Sequence, residues 1–250
     1  MRNYINADIK RILSRASHTF SMLLLFVGYA ATLLLTNRTL QVTSVSLVNS
    51  ACGILGTMLF FFGLFEMLGV FSEEFKVKTM QVALGLGVTR NKIVISKLLE
   101  VVILLVMDMI ALAAITVGIG GMLGVSIPMN VLKDLLITLL IQGVVAGTIT
   151  TSITMIVLFA TQSNILAIFT YAIFGLDVIG LLLMVLPLVG VNFLENLNLN
   201  RFTFGHLTGV LESRLALGSF DFKALIGLAA YLGLGVFGTC KVFGSRELDF

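Results

Sequence analysis

Apolar residues run along this chain in long unbroken stretches. A helix needs about 20 such residues, at 1.5 Å rise each, to cross roughly 30 Å of hydrocarbon. Charge-poor stretches of that length predict spans at 20–36, 47–71, 98–119, 135–160, 165–191 and 224–242, interrupted by Glu66 in the second, Asp108 in the third and Asp177 in the fifth. The fourth and fifth arise from one charge-free run between Asp134 and Asp177, too long for a single crossing, which the polar cluster Thr161-Gln162-Ser163-Asn164 divides. A porin-like barrel is excluded, because its strands alternate with period two over about ten residues. The predicted fold class is all-α: a polytopic membrane protein with six transmembrane helices in a single domain spanning 1–250.

Two other segments carry helical periodicity without the length or apolarity to cross. In 1–18, Ile5, Ile9, Ile12, Leu13 and Ala16 share one face, while Asp8, Lys10, Arg11 and Arg15 take the other. That predicts an amphipathic helix lying in the interface before the first span; the alternative is a solvated leader whose charges only set topology. In 72–90, Ser72 suits an N-cap and Glu73 and Glu74 suit the positive end of the helix dipole. Phe75, Thr79, Val82, Ala83 and Leu86 then share a face, and Gly85 or Gly87 can end the helix in a left-handed conformation. A capped amphipathic helix between two spans is more than a connection requires. It is either an interfacial helix with no partner or a surface that another protein pushes on.

Composition sharpens the solvent. Of 250 residues, 58% are hydrophobic and 12% charged, and the mean hydropathy is +1.08. No soluble domain of this length can hide so much apolar surface, so soluble enzymes, nucleic-acid-binding domains and disordered regulators are excluded. The net charge of +3 comes from basic residues clustered beside apolar runs, which makes it a topology signal. Eleven Lys and Arg fall in the leader, the 72–97 stretch and the tail, against five on the opposite side, Arg38, Lys133, Arg201, Arg214 and Lys223. Both termini are therefore expected in the cytoplasm. The leader lacks a small-residue cleavage site and is not expected to be a removed signal peptide. Asn37-Arg38-Thr39 fits a glycosylation acceptor on the outer side, close to the bilayer. Cys52 and Cys240 lie inside apolar runs and read as small hydrophobes, and His18 and His206 lack ligand spacing, so no metal site is expected.

The 72–97 segment resembles the type-2 permeases of ATP-binding-cassette exporters. In that family the connection after the second span carries a glutamate, a Gly-Thr pair, a leucine-rich stretch, a Pro-x-Ser-Arg turn and a lysine at the foot of the third span. Here Glu74 stands in the glutamate position, Lys78-Thr79 replaces Gly-Thr, and Val82, Ala83 and Leu84 supply the apolar stretch. Gly87-Val88-Thr89-Arg90 replaces the proline turn, and Lys97 takes the lysine position. Six spans, an elbow helix at 1–18 and a larger outer connection at 192–223 agree in outline. The resemblance implies that 72–90 is a cytoplasmic coupling helix docking in a separate ATPase subunit, with Glu74, Thr79, Arg90 and Lys97 as ATPase-coupling residues. It also implies a pair of permeases, with an identical or homologous second permease. ATP and magnesium would be bound by the partner ATPase, because this chain has no GxxxxGK[ST] motif and no Gly-Lys pair. No cofactor is expected in this chain, and it is not expected to be an enzyme itself.

Acids inside spans call for an explanation of their own. Counting residues places Asp108 and Asp177 near mid-bilayer, with no Lys or Arg at comparable depth. Each is expected to be protonated or to face a polar cavity with Gln142, Thr170 or Tyr171 as partners. They either line the transport pathway or act as interhelical hydrogen-bonding glue. Glu66, nearer the cytoplasmic end of its span, is expected to contact headgroups, water or the cytoplasmic helices. The GxxxG motif Gly143–Gly147 and Gly227, Gly233, Gly235 and Gly238 predict close helix approach, within one subunit or between two. The hydroxyls of Thr148, Thr150, Thr151, Ser152 and Thr154 are expected to bond carbonyls of their own helix. A helix around Leu207 to Leu215 is expected in the outer connection.

The expected function is that of a permease subunit of an ATP-driven exporter in the cytoplasmic membrane. Its cargo would be hydrophobic or amphipathic: an antimicrobial peptide, drug or lipid-like molecule. Two alternatives stay open: a proton-coupled secondary transporter using Asp108 and Asp177, and a non-transporting membrane immunity or sensor protein.

Overall fold

A computed structural model describes residues 2–38, 42–72, 80, 84, 85, 87–185 and 199–245. The described residues form helices and contain no strand. In chain order the helices are α1 (Arg2–Leu13), α2 (Ala16–Asn37), α3 (Ser44–Phe71), α4 (Arg90–Met122), α5 (Met129–Thr161), α6 (Asn164–Gly175), α7 (Val178–Val185), α8 (Phe204–Ala216) and α9 (Phe222–Ser245), with a 3-10 turn at Leu199–Phe202. Five of them, α2, α3, α4, α5 and α9, are long and apolar enough to cross a membrane. The bent pair α6–α7 makes a sixth if it counts as one span. This is the architecture of a multi-pass helical membrane protein.

Local chemistry sets the helix ends. Thr43 opens α3 with a capping box: its side chain accepts from the Ser46 backbone N–H, while the Ser46 hydroxyl accepts from the Thr43 backbone N–H. At the end of α4, Gly124 adopts φ +72°, and the Val125 N–H donates to the Gly120 carbonyl at 2.8 Å. That left-handed turn satisfies the last carbonyls of the helix. Gly87 likewise has φ +84°. Gln162 at φ +55° ends α5, and the Ser163 hydroxyl then accepts from Leu166 N–H to start α6, so the polar cluster separates two helices where the pattern placed a break.

The fifth expected span, 165–191, is not one straight helix. It breaks at Leu176–Asp177, and α6 and α7 differ in direction by 53°. Asp177 has φ +47°, and its carbonyl accepts from Leu181 N–H at 3.0 Å, so it closes one helix and opens the next. Aspartate tolerates the left-handed region and favours N-cap positions, so an acid counted as mid-span becomes the hinge itself. Asn37 also departs from its expectation as a glycan acceptor. It is 2% exposed and its side-chain amide donates to Leu33 O within α2.

The chain divides into two compact units, 1–82 with 96–147, and 83–95 with 148–250. In the first, Tyr29, Leu33, Leu55, Phe62, Leu112 and Leu139 belong to one buried cluster drawn from α2, α3, α4 and the start of α5. The Tyr29 and Thr116 hydroxyls share a hydrogen bond of 2.7 Å inside it. The GxxxG glycines serve packing within this unit: Gly143 faces the Met109 side chain and Gly147 faces Leu105, both on α4. Gly143 lies in a π-helical segment of α5, Leu139–Val145, which also contains Gln142. In the second unit Gly227 packs against Leu207 of α8, while Gly235 and Gly238 pack against Ser152 and Ile156 of α5. The Ser152 and Thr154 hydroxyls donate to carbonyls of their own helix.

Substitutions at two glycines of α9, two positions apart, should separate packing from helix propensity. A Cβ on Gly235 would lie 2.8 Å from the Ser152 carbonyl carbon, whereas nothing lies within 4 Å of one on Gly233. Gly235→Ala is expected to lower stability by about 1–3 kcal/mol through overpacking. Gly233→Ala should be neutral or stabilising by up to about 1 kcal/mol. Thermal unfolding of the purified protein in mild detergent reads both.

Candidate functional site

The first unit holds a cavity of about 500 Å³ between α2, α3 and α4. Its walls are almost wholly apolar, with Met22, Leu23, Phe26, Leu104, Met107 and Ile115 among them. Three ionisable side chains also line it: His18, Glu66 and Asp108. Glu66 is 1% exposed and Asp108 8% exposed. His18 Nε2 lies 3.3 Å from each carboxylate oxygen of Glu66. The Glu66 carboxyl in turn adjoins that of Asp108, within hydrogen-bonding reach.

Each side chain reaches this position for a local reason. His18 lies in the first turn of α2 and packs against Gly69, where a Cβ would come 2.9 Å from its Nε2. The missing side chain at Gly69 thus makes room for the ring beside Glu66, one helical turn earlier on α3. Arg15 donates to the Gly69 carbonyl at 3.2 Å and ties the start of α2 to the same turn. In place of the contacts expected for Glu66 (headgroups, water or the cytoplasmic helices), the structure shows a histidine beside it, admitted by a glycine, and the cavity on which it also borders. His18, set aside for lack of ligand spacing, is its partner. No group of three His, Cys, Asp or Glu is arranged to hold a metal ion among the described residues.

A second polar assembly lies at the foot of α4 in the same unit. Lys97 is fully buried, and its ammonium donates to Asp8 Oδ2 at 2.6 Å and to Glu100 Oε2 at 3.0 Å. Asp8 also pairs with Arg11 at 3.2 Å. These two cations and two anions join α1 to α4. In α1, Ile5 and Ile12 are buried while Asn6 and Lys10 are exposed; Leu13 is exposed at the cavity rim, and Ala16 begins α2. Glu100 follows Lys97 by three positions, a spacing that puts both on one helix face and could have disclosed the pair. Asp8 had no such local signal.

In the second unit Arg90 Nη1 donates to the carbonyls of Phe243 and Gly244, at 2.7 and 2.9 Å, and its guanidinium stands 5.6 Å from the Phe243 ring centroid. It thus serves the last, unsatisfied carbonyls of α9. Asp177 also lies in that unit. Its carboxyl packs against Gly180 of α7 and Gly205 of α8, beside a cavity of about 230 Å³ that Tyr231 also lines. Both glycines lie in first turns, so the positive ends of two helices take the place of a Lys or Arg. Of the other expected partners, Thr170 donates to Leu166 O in its own helix, and Tyr171 bonds Thr151. Gln142 is half-buried in the π-helical segment. Glu74 and Thr79 lie outside the described residues, as do most of the 72–90 segment, the 186–191 end of the expected fifth span and the 192–198 part of the outer connection; the helix expected in that connection is α8.

Comparison of the chain with family models, curated proteins and solved structures finds no match in any of the three.

Two stability measurements test these assemblies. Lys97→Met takes the buried cation from Glu100 and should cost about 3–5 kcal/mol, and Lys97→Met with Glu100→Gln should recover most of it. Asp177→Ala removes a carboxylate from two helix starts and puts alanine at a left-handed φ, and should cost about 1–2 kcal/mol. Both are read as shifts in thermal unfolding in detergent.

Proposed function

We propose that the chain is the permease subunit of a type-2 ATP-binding-cassette exporter, moving a hydrophobic or amphipathic substrate across the cytoplasmic membrane. The observation that carries this reading is the use made of two basic residues, Arg90 at the end of the 72–90 connection and Lys97 beyond it. A residue that only sets topology sits solvated at the membrane face. Lys97 is instead buried between two carboxylates, and Arg90 grips the end of α9. Arg90 opens α4 and Lys97 lies two turns further on, so each ties the segment after the connection to another helix, Arg90 to α9 and Lys97 to α1. Such stiff joints suit a subunit that is driven mechanically by a partner. The partner is a separate ATPase, which binds ATP and magnesium, and a second permease completes the pair.

A second reading, proton-coupled transport, has one observation in its favour: Glu66, Asp108 and His18 meet inside the spans. It leaves the locked foot of α4 without a purpose.

Affinity purification in mild detergent from the native membrane tests the first reading. An ATPase chain should accompany the wild-type protein and be released by Glu74→Lys, and transport in proteoliposomes should require ATP. Absence of an ATPase, or its retention by the Glu74→Lys variant, overturns the docking. Transport that follows a proton gradient without any ATPase favours the second reading.

A further inference from the structure

The cavity of the first unit has an unbalanced set of polar groups. Asp108 Oδ2 and His18 Nδ1 are buried and have no hydrogen-bond partner among the described residues. A His18 ring that donates through Nε2 to the Glu66 carboxylate presents, when neutral, a bare Nδ1 acceptor. Asp108 Oδ2 is an acceptor when the carboxyl is ionised. With His18 neutral and Asp108 ionised, the cavity offers two open acceptors, Nδ1 and Oδ2, and no free donor to fill them.

Its charges point the same way. Two carboxyls and one imidazole line it, and no Lys or Arg does. A buried acceptor left open costs about 1–3 kcal/mol, and a buried carboxylate without a cation costs more. The rest of the wall is aliphatic, thioether and aromatic, and the volume of about 500 Å³ falls in the range of small-molecule sites. Leu23, Val27 and Met107 line the cavity and are also substantially exposed, so an apolar rim leads to the polar end.

We infer that this cavity is a binding site for a small cationic amphiphile: an ammonium or amidinium group donating to Asp108 and His18, with its apolar body against Met22, Phe26, Leu104 and Ile115. An anionic amphiphile would meet two acids, and a neutral one would leave the acid pair without a cation. The binding claim rests on the cavity alone; only its use as a cargo site rests on the exporter reading.

Native mass spectrometry of the detergent-solubilised protein counts bound ligands directly. Dodecylamine should bind as one molecule per chain, with dodecanol and dodecanoate at least tenfold weaker. Asp108→Asn should weaken dodecylamine at least tenfold, and Ala111→Phe, which narrows the cavity without touching a charge, should do the same. Asp177→Asn, in the other unit, should bind as the wild type does. Thermal unfolding of each variant checks that it is folded. Equal binding of dodecylamine and dodecanol, or undiminished dodecylamine binding in both Asp108→Asn and Ala111→Phe, overturns the inference. No ATPase is present in this measurement, so its failure removes the ligand and leaves the ATPase association to its own test.

Discussion

Burying charge in a medium that cannot solvate it is the constraint on which this structure turns. An ammonium or carboxylate taken from water into a low-dielectric interior loses several kcal/mol of solvation, which only close, well-directed partners restore. Lys97 shows the strictest solution. Its ammonium is wholly enclosed and meets Asp8 and Glu100 at hydrogen-bonding distance, while Arg11 supplies a further cation to Asp8. Because no partner can leave without stranding another, α1 and the foot of α4 are held as one piece.

The other buried acids answer the same constraint by different means. Asp177 lies at the starts of two helices, whose amide dipoles supply partial positive charge, and glycines at 180 and 205 let the carboxyl approach. Glu66 takes His18 as its partner, at the cost of a side chain at Gly69. Asp108 has only another carboxyl and a cavity beside it. At Lys97, Asp177 and Glu66 the chain itself supplies a partner. Asp108 Oδ2 and His18 Nδ1 are left open, and both residues line the apolar cavity.

Small residues determine how closely the helices can come together around these groups. Gly143 and Gly147 admit Met109 and Leu105 of α4, and Gly235 admits Ser152, so the thin faces seat neighbouring side chains within each unit. The break at Asp177 and the π-helical stretch at Leu139–Val145 show where regular helix gives way. In the first case the sequence contains the cause, an acid that caps better than it continues a helix. In the second, Gly143 and its close contact with Met109 accompany the distortion.

The long apolar runs were enough to determine a helical membrane protein with its helices near their observed places, because a span is set by length and hydropathy within one segment. The break at Thr161–Asn164 was legible for the same local reason, as was the helix of the outer connection. Asp108 and Asp177 could be singled out by their cost in lipid alone, and Lys97 through the family resemblance of the 72–97 segment. Their partners could not. Asp8 lies 89 positions from Lys97 and His18 lies 48 from Glu66, distances over which no periodicity operates. Whether a charge is a solvated topology signal or a buried joint depends on what packs against it, and only the tertiary structure decides that, because burial and pairing are properties of the space between helices.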